Sequence, residues 1–154
     1  MRFKFMPLPT HEVRAFQAGC RDANGRLPER QISDGTVGCR HCLRNIREGA
    51  ECLLIAYTPF STNQPYAERG PLYICAEPCT PAEPGDAVPE LLTSPSYIVR
   101  GYDADERIIY GTGSVKPTAS LPDRIRDLLD APEVAFVDIR SAANNCFQCR
   151  AVRA

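Results

Sequence analysis

Eight cysteines in a chain of 154 residues are the part of this sequence with the clearest potential for chemistry. Disulfides are scarce in a reducing compartment, where thiols serve as metal ligands, buried apolar groups or redox centres. Cys39 and Cys42 are separated by two residues, and this spacing lets both sulfurs of a tight turn face one ion. A tetrahedral metal site then needs a second pair of ligands from elsewhere in the chain.

Two cysteine pairs could complete such a site, Cys75 with Cys79 or Cys146 with Cys149. Side chains alternate between the two faces of a strand, so Cys146 and Cys149, three residues apart, should point in opposite directions. Cys75 ends an apolar run and Pro78 precedes Cys79, so the chain must turn there and can bring both sulfurs together. The expected ligands of a structural Zn²⁺ are therefore Cys39, Cys42, Cys75 and Cys79. On these residues alone, the choice of Cys146 with Cys149 stays open.

The remaining thiols have a simpler interpretation, because free cysteine often packs as a small apolar residue. This interpretation applies mainly to Cys20, Cys52, Cys146 and Cys149. Four thiolates on Zn²⁺ carry about two net negative charges, part of which nearby arginines could neutralise. These arginines are Arg40, Arg44 and Arg47. We equally expect that they are ordinary surface residues exposed to solvent.

A redox role for Cys39 and Cys42 competes with metal binding. His41 lies between them and could lower a thiolate pKa in the manner of disulfide oxidoreductases. Thioredoxin-like folds place such a motif at the start of a long helix, whereas Gly49 would interrupt a helix here after two turns. A thiol-based oxidoreductase or redox sensor is therefore the alternative function.

Other catalytic classes lack support in the sequence. A Cys and His hydrolase needs a base, and the two histidines are His11, at an expected exposed helix start, and His41 between two expected ligands. The acidic residues Asp103, Asp105 and Glu106 lack the glycine and distal glutamate of a calcium loop and predict a turn. There is no phosphate-binding glycine loop, HExxH or GxSxG. The sequence identifies no catalytic activity.

Charge and hydropathy indicate a cytoplasmic protein. Eighteen Lys and Arg against nineteen Asp and Glu give a net charge of −1, so no global field attracts nucleic acid or anionic lipid. The first eight residues contain charges and a proline where a secretory signal needs an apolar stretch, and no 18 apolar residues are consecutive. We expect no membrane or nucleic-acid partner, and a protein or small-molecule ligand stays open.

Apolar runs of strand length, separated by turn residues, predict about seven strands. These are Phe3–Met6, Cys52–Tyr57, Leu72–Cys75, Ser96–Tyr102, Arg107–Gly113, Val134–Ile139 and Cys146–Val152. Ser96–Tyr102 and Arg107–Gly113 are expected to pair as a β-hairpin. Five prolines between Pro78 and Pro95 predict an extended surface connection.

Two segments have helical periodicity. The first is expected to begin at Thr10, as its N-cap, and to end at Gly19. The second follows Ser120 and ends at Pro132. Its core-facing residues are Leu121, Ile125, Leu128 and Leu129. The chain should form a single α+β domain, 1–154, with a mostly antiparallel sheet, two helices and a cysteine-rich hairpin like that of treble-clef zinc fingers, although the usual glycine after Cys42 is missing.

Several short motifs, taken in their order along the chain, point to a family. They are Gly38-Cys39-Arg40-His41-Cys42-Leu43, Tyr57-Thr58-Pro59-Phe60, Gly70-Pro71, Cys79, Arg100-Gly101-Tyr102-Asp103 and Cys146-Phe147. With these, the chain resembles small bacterial proteins catalogued only as a domain of unknown function, over nearly its whole length. The resemblance implies no activity. It implies a histidine in relatives at position 75 and an apolar residue at position 149, which supports a zinc ligand at Cys75 and weakens one at Cys149.

Overall fold

The computed structural model describes residues 1–154, which form eight β-strands and two α-helices. In chain order these are β1 (Phe3–Met6), α1 (Thr10–Gln17), β2 (Glu29–Ile32), β3 (Glu51–Tyr57), β4 (Gly70–Cys75), β5 (Ser96–Tyr102), β6 (Ser114–Pro117), α2 (Leu121–Asp130), β7 (Phe136–Ser141) and β8 (Phe147–Arg153). A 3-10 turn, Thr118–Ser120, leads directly into α2. Neither helix combines the length and apolar character that crossing a membrane requires.

The strands form two sheets, and every pair of neighbouring strands is antiparallel. The larger sheet has the order β1-β8-β7-β5-β6, and the smaller has the order β2-β3-β4. The predicted α+β class with mostly antiparallel strands and two helices is confirmed, and the strands are divided between two sheets where one was expected. The sequence missed β2, because its residues Glu29–Ile32 are all exposed and show no apolar alternation.

Helix α2 covers one face of the five-stranded sheet. The predicted stripe is confirmed, since Leu121, Ile125, Leu128 and Leu129 are all buried. They pack in one cluster with alternate residues of the central strands, among them Val99 and Ile139. Each such side chain contributes roughly 1.5–3 kcal/mol by leaving water. The cluster to which these residues belong is larger than the second hydrophobic cluster of the structure.

The three-stranded sheet builds a second core together with α1. Val13 of α1 is fully buried, and the ring of Phe16 packs edge-on against Tyr57 of β3 with 6.2 Å between ring centroids. Leu53 and Ile74 of the sheet are buried in the same cluster, as is Cys39. This core therefore fixes the loop that carries the first cysteine pair.

The opposite face of the five-stranded sheet is charged. Asp138 of β7 lies between Arg100 of β5 and Arg150 of β8 in the strand register. The Asp138 carboxylate is fully buried and accepts hydrogen bonds from Arg150 Nε at 2.7 Å and Nη2 at 3.0 Å. The segment between β3 and β4 covers these residues, with Phe60 packed against Tyr102 at 5.4 Å between ring centroids.

The predicted second arm of the hairpin, Arg107–Gly113, is wrong. Only an isolated bridge joins Tyr102 to Ile108, and the strand that pairs with β5 is β6. Gly111 has a φ of 91°, which an extended strand does not permit. The Thr112 hydroxyl also bonds the backbone of Ile109 and Gly101, and such local bonds compete with a strand ladder.

Two further expectations need correction. Thr10 does not cap α1, because the N-cap position is Pro9 and no side chain caps the helix. The Thr10 hydroxyl contacts His41 instead. The proline-rich segment contains no helix or strand, as predicted, but it does not stay on the surface. Its residues Leu91 and Leu92 are buried in the larger core.

Candidate metal centre

Four cysteine side chains meet beside the end of β4. The Sγ atoms of Cys39, Cys42, Cys75 and Cys79 all lie within 4.8 Å of one another. Cys39 is fully buried and the other three are partly buried. The Sγ atoms of Cys39 and Cys79 are 3.9 Å apart, far beyond the disulfide length of about 2.05 Å. The four residues that the sequence singles out are therefore close enough to hold a metal ion.

The first cysteine pair sits in a tight turn closed by backbone hydrogen bonds. Gly38 and Asn45 form an antiparallel bridge, and Cys39 N donates to Arg44 O at 2.9 Å. Leu43 has a φ of 55° and takes the left-handed position that glycine usually fills in such turns. This conformation costs roughly 1–2 kcal/mol, which burial of the Leu43 side chain offsets.

The turn docks along β4, which carries the third cysteine. A parallel bridge joins Cys39 to Tyr73, and Arg40 N donates to Tyr73 O at 3.1 Å. Cys75 N lies 3.3 Å from Cys39 Sγ and donates to it. The turn also lies close to Leu91 of the proline-rich segment. Only glycine fits at position 38, because a Cβ atom there would lie 2.8 Å from Leu91 Cβ.

Helix α1 fixes the segment that contains the third and fourth cysteines. Gln17 Nε2 donates to Cys75 O at 2.9 Å and to Glu77 O at 3.0 Å. Arg14 Nη2 donates to Cys79 O at 2.6 Å. The sequence did not predict a role for Arg14 or Gln17. Each lies at least 58 positions away from the residues it contacts, and neither belongs to a motif.

His41 contacts the cluster through its ring. Its Nδ1 is 3.1 Å from Cys79 Sγ, and its Nε2 is 2.9 Å from Thr10 Oγ1. Burial lowers the pKa of His41, which favours the neutral ring. A neutral ring has one donor and one acceptor, and both contacts are satisfied when Nδ1–H donates to the Cys79 sulfur and the Thr10 hydroxyl donates to Nε2. The fully buried histidine thus orients one sulfur.

The four thiols interact too strongly to ionise independently. Hydrogen bonds from Cys42, Cys75 and Cys79 lower the pKa of Cys39. The contact with Cys39 in turn raises the pKa of both Cys75 and Cys79. Because like charges at this distance disfavour further ionisation, four thiolates can coexist here only around a cation.

Replacing His41 with phenylalanine should weaken metal binding without abolishing it. The variant keeps the ring volume and removes the hydrogen bond to the Cys79 sulfur, and loss of such an outer contact typically costs 10- to 100-fold in metal affinity. Competition with a chromophoric chelator measures the affinity. His11→Phe is the matched control, because His11 is exposed. Equal affinities in the two variants would contradict an orienting role for His41.

The three nearby arginines differ in their surroundings. Arg40 is buried and donates to Phe147 O at 2.8 Å and to Gly38 O at 2.7 Å, so it bonds carbonyl groups instead of sulfurs. Arg44 is exposed and lies along the same cavity as Cys42 and Cys79. Arg47 is exposed. Of the three, Arg44 is the one that lines an open cavity together with two of the clustered cysteines.

The second candidate pair does not join the cluster. Cys149 is fully buried in the larger core among residues such as Ile139. Cys146 precedes β8 and is partly exposed. Neither residue belongs to the group of cysteines that lie close enough to hold a metal ion. Cys149 fits its interpretation as a small apolar residue.

An open cavity adjoins the cluster. It has a volume of about 540 Å³ and is lined in part by Cys42, Cys79 and Arg44. The proline-rich segment supplies much of its wall, including Pro81 and Pro89. Cys42 and Cys79 therefore border an open cavity, whereas Cys39 is fully buried.

Comparison with known proteins identifies a family and nothing more specific. No curated protein and no solved structure matches the chain. Residues 36–153 match the model of the family described as "Protein of unknown function (DUF1203)". The matched range contains all four clustered cysteines and begins three residues before Cys39. The chain belongs to this family of proteins of unknown function.

Proposed function

We propose that Cys39, Cys42, Cys75 and Cys79 bind one Zn²⁺ and that this ion stabilises a binding or regulatory domain without catalytic activity. The observation that carries the proposal is the approach of four sulfurs to within 4.8 Å of one another. A tetrahedron with Zn–S bonds of about 2.3 Å has sulfurs about 3.8 Å apart. The separation of 3.9 Å between Cys39 and Cys79 Sγ fits that geometry.

The donor set favours zinc over harder cations. Four thiolates are soft ligands, whereas Mg²⁺ and Ca²⁺ prefer oxygen. Four protein ligands also close the coordination shell, which is typical of structural zinc sites, since catalytic sites keep a position open for water or substrate. The proposed role of the ion is therefore structural.

The ion would join parts of the chain that are distant in sequence. Its ligands come from the turn at Cys39 and from the segment that follows β4, and α1 holds the second of these through Arg14 and Gln17. Thiolate ligands persist in a reducing compartment, so we place the protein in the cytoplasm, as a single domain of residues 1–154. Its partner is a protein or a small molecule.

The alternative role as a thiol oxidoreductase has less support. Cys39 is fully buried, and residues 36–49 contain no helix that could lower its pKa through an N-terminal dipole. An exposed redox thiolate should react with iodoacetamide at neutral pH much faster than the other thiols. Uniformly slow alkylation of the zinc-loaded protein would count against the redox function.

Metal analysis tests the proposed site. Protein purified without chelator should contain about one zinc per chain by inductively coupled plasma mass spectrometry, because the donor set is complete within the chain. Titration with a mercurial reagent should release that zinc in one step as the thiolates are blocked. A stoichiometric content of iron, or no metal after expression in zinc-supplemented medium, would contradict the proposal.

A further inference from the structure

A second cavity lies on the charged side of the five-stranded sheet, away from the cysteine cluster. Its volume is about 290 Å³. Apolar side chains line part of it, including Tyr57, Leu72 and Phe147. Its polar lining includes Arg140 and the adjacent amides Asn144 and Asn145 in the loop between β7 and β8. It therefore combines an apolar wall with one buried cation.

Arg140 is the unusual group in this cavity. It is only 4% exposed, and its Nη1 atom is buried without a hydrogen-bond partner. Its Nε donates to Asn145 Oδ1 at 2.9 Å, so the guanidinium is held in place. Leaving a buried donor of a charged group unpaired costs at least about 1–3 kcal/mol. A fold that positions such a group beside a cavity is suited to a ligand that supplies the missing acceptor.

Glu68 reveals which kind of group the site accepts. Its carboxylate pairs with Arg140 Nη2 and lies 3.5 Å from Arg100 Nη2. The Glu68 side chain is 37% exposed, whereas that of Arg140 is 5% exposed. The carboxylate thus reaches the arginines from the solvent side, so it is the more exposed partner of the ion pair.

We propose that this cavity binds a small monocarboxylic acid, whose carboxylate replaces that of Glu68 on Arg140. A carboxylate matches the guanidinium with two parallel hydrogen bonds and so uses the donor that is now unpaired. The ligand's apolar part lies against Tyr57, Leu72 and Phe147. Arg140, Arg69 and Glu68 give the cavity lining a net charge of +1, which one carboxylate neutralises.

Binding of butyrate, measured by saturation-transfer NMR titration, tests the proposal. Wild-type protein should bind butyrate and fail to bind butyramide, its uncharged analogue. Glu68→Gln should bind butyrate roughly two- to fivefold more tightly, because the competing ion pair with Arg140 is lost. Arg140→Lys should bind at least about tenfold more weakly, because lysine cannot form the paired contact.

Arg124→Lys is the matched control. Arg124 of α2 also has a buried nitrogen without a partner, but it does not line the cavity, so the variant should bind butyrate like the wild type. If Arg140→Lys fails to fold, the affinity of Glu68→Gln for butyrate tests the proposal by itself. The proposal is overturned if Glu68→Gln binds no more tightly than the wild type, if butyramide binds equally well, or if only water occupies the cavity at saturating butyrate in a crystal structure.

Discussion

Replacing Cys39 with serine should remove the bound metal and leave the chain unfolded or barely folded at 25 °C. Structural zinc sites contribute about 10–16 kcal/mol of binding free energy, while a typical domain is stable by only about 5–15 kcal/mol. Cys39 is the most buried of the four cysteines, and its sulfur accepts from the backbone N–H of both His41 and Cys75. Zinc content and the thermal unfolding midpoint by circular dichroism measure the two effects.

Cys20→Ser is the control for that substitution. Cys20 is exposed and lies outside the cluster, so this variant should keep its zinc and unfold at the wild-type temperature. Chelation of the wild-type protein should reproduce the low stability of Cys39→Ser, and added zinc should restore only the wild type. A Cys39→Ser variant with unchanged zinc content and unfolding midpoint would exclude the four-sulfur site.

Replacing Asp138 with alanine should cost about 3–5 kcal/mol in the free energy of unfolding. Burial raises the pKa of the Asp138 carboxyl, and the bonds and charge of Arg150 act in the opposite direction. Because burial outweighs Arg150, the ionised carboxylate carries a large desolvation cost. Removal of the carboxylate leaves the half-buried Arg150 guanidinium without its partner, beside Arg100 and Arg140. Urea denaturation gives the change in free energy.

Asp123→Ala offers a matched comparison for Asp138→Ala. Asp123 also pairs with an arginine, Arg126, at 2.9 Å, but the Asp123 side chain is 85% exposed. Loss of this surface pair should change the free energy of unfolding by less than about 1 kcal/mol. Equal effects of the two substitutions would show that the charged face of the sheet contributes no more than an ordinary surface ion pair.

The cysteine cluster was accessible to sequence reasoning because its signal is local. The spacing of Cys39 and Cys42 and the turn required before Cys79 each predict sulfurs that converge, and alternation along a strand separates Cys146 from Cys149. Helix α2 could also be predicted from a local pattern, since four leucine and isoleucine residues repeat with the helical period and are buried in the structure. Both are confirmed as elements of the structure, although metal binding itself stays a prediction.

The residues that surround these elements could not be predicted in the same way. Thr10 has the composition of a helix cap, yet its hydroxyl contacts His41, 31 positions away. The pairing of Asp138 with Arg150 depends on the register of two strands, which no local pattern reveals. Segment 107–113 has the composition of a strand, but Gly111 and the Thr112 hydroxyl favour turns. Long-range contacts thus decide the roles of Thr10 and Asp138, whereas local turn bonds override strand propensity in segment 107–113.

X-ray absorption spectroscopy at the zinc edge is the decisive test of the four-sulfur site, because it reports the ligands of the ion in the intact protein. We expect four sulfur neighbours at about 2.3 Å and no nitrogen or oxygen neighbour. A first shell that contains histidine nitrogen or water oxygen, or a sample without stoichiometric zinc, would contradict the four-sulfur site.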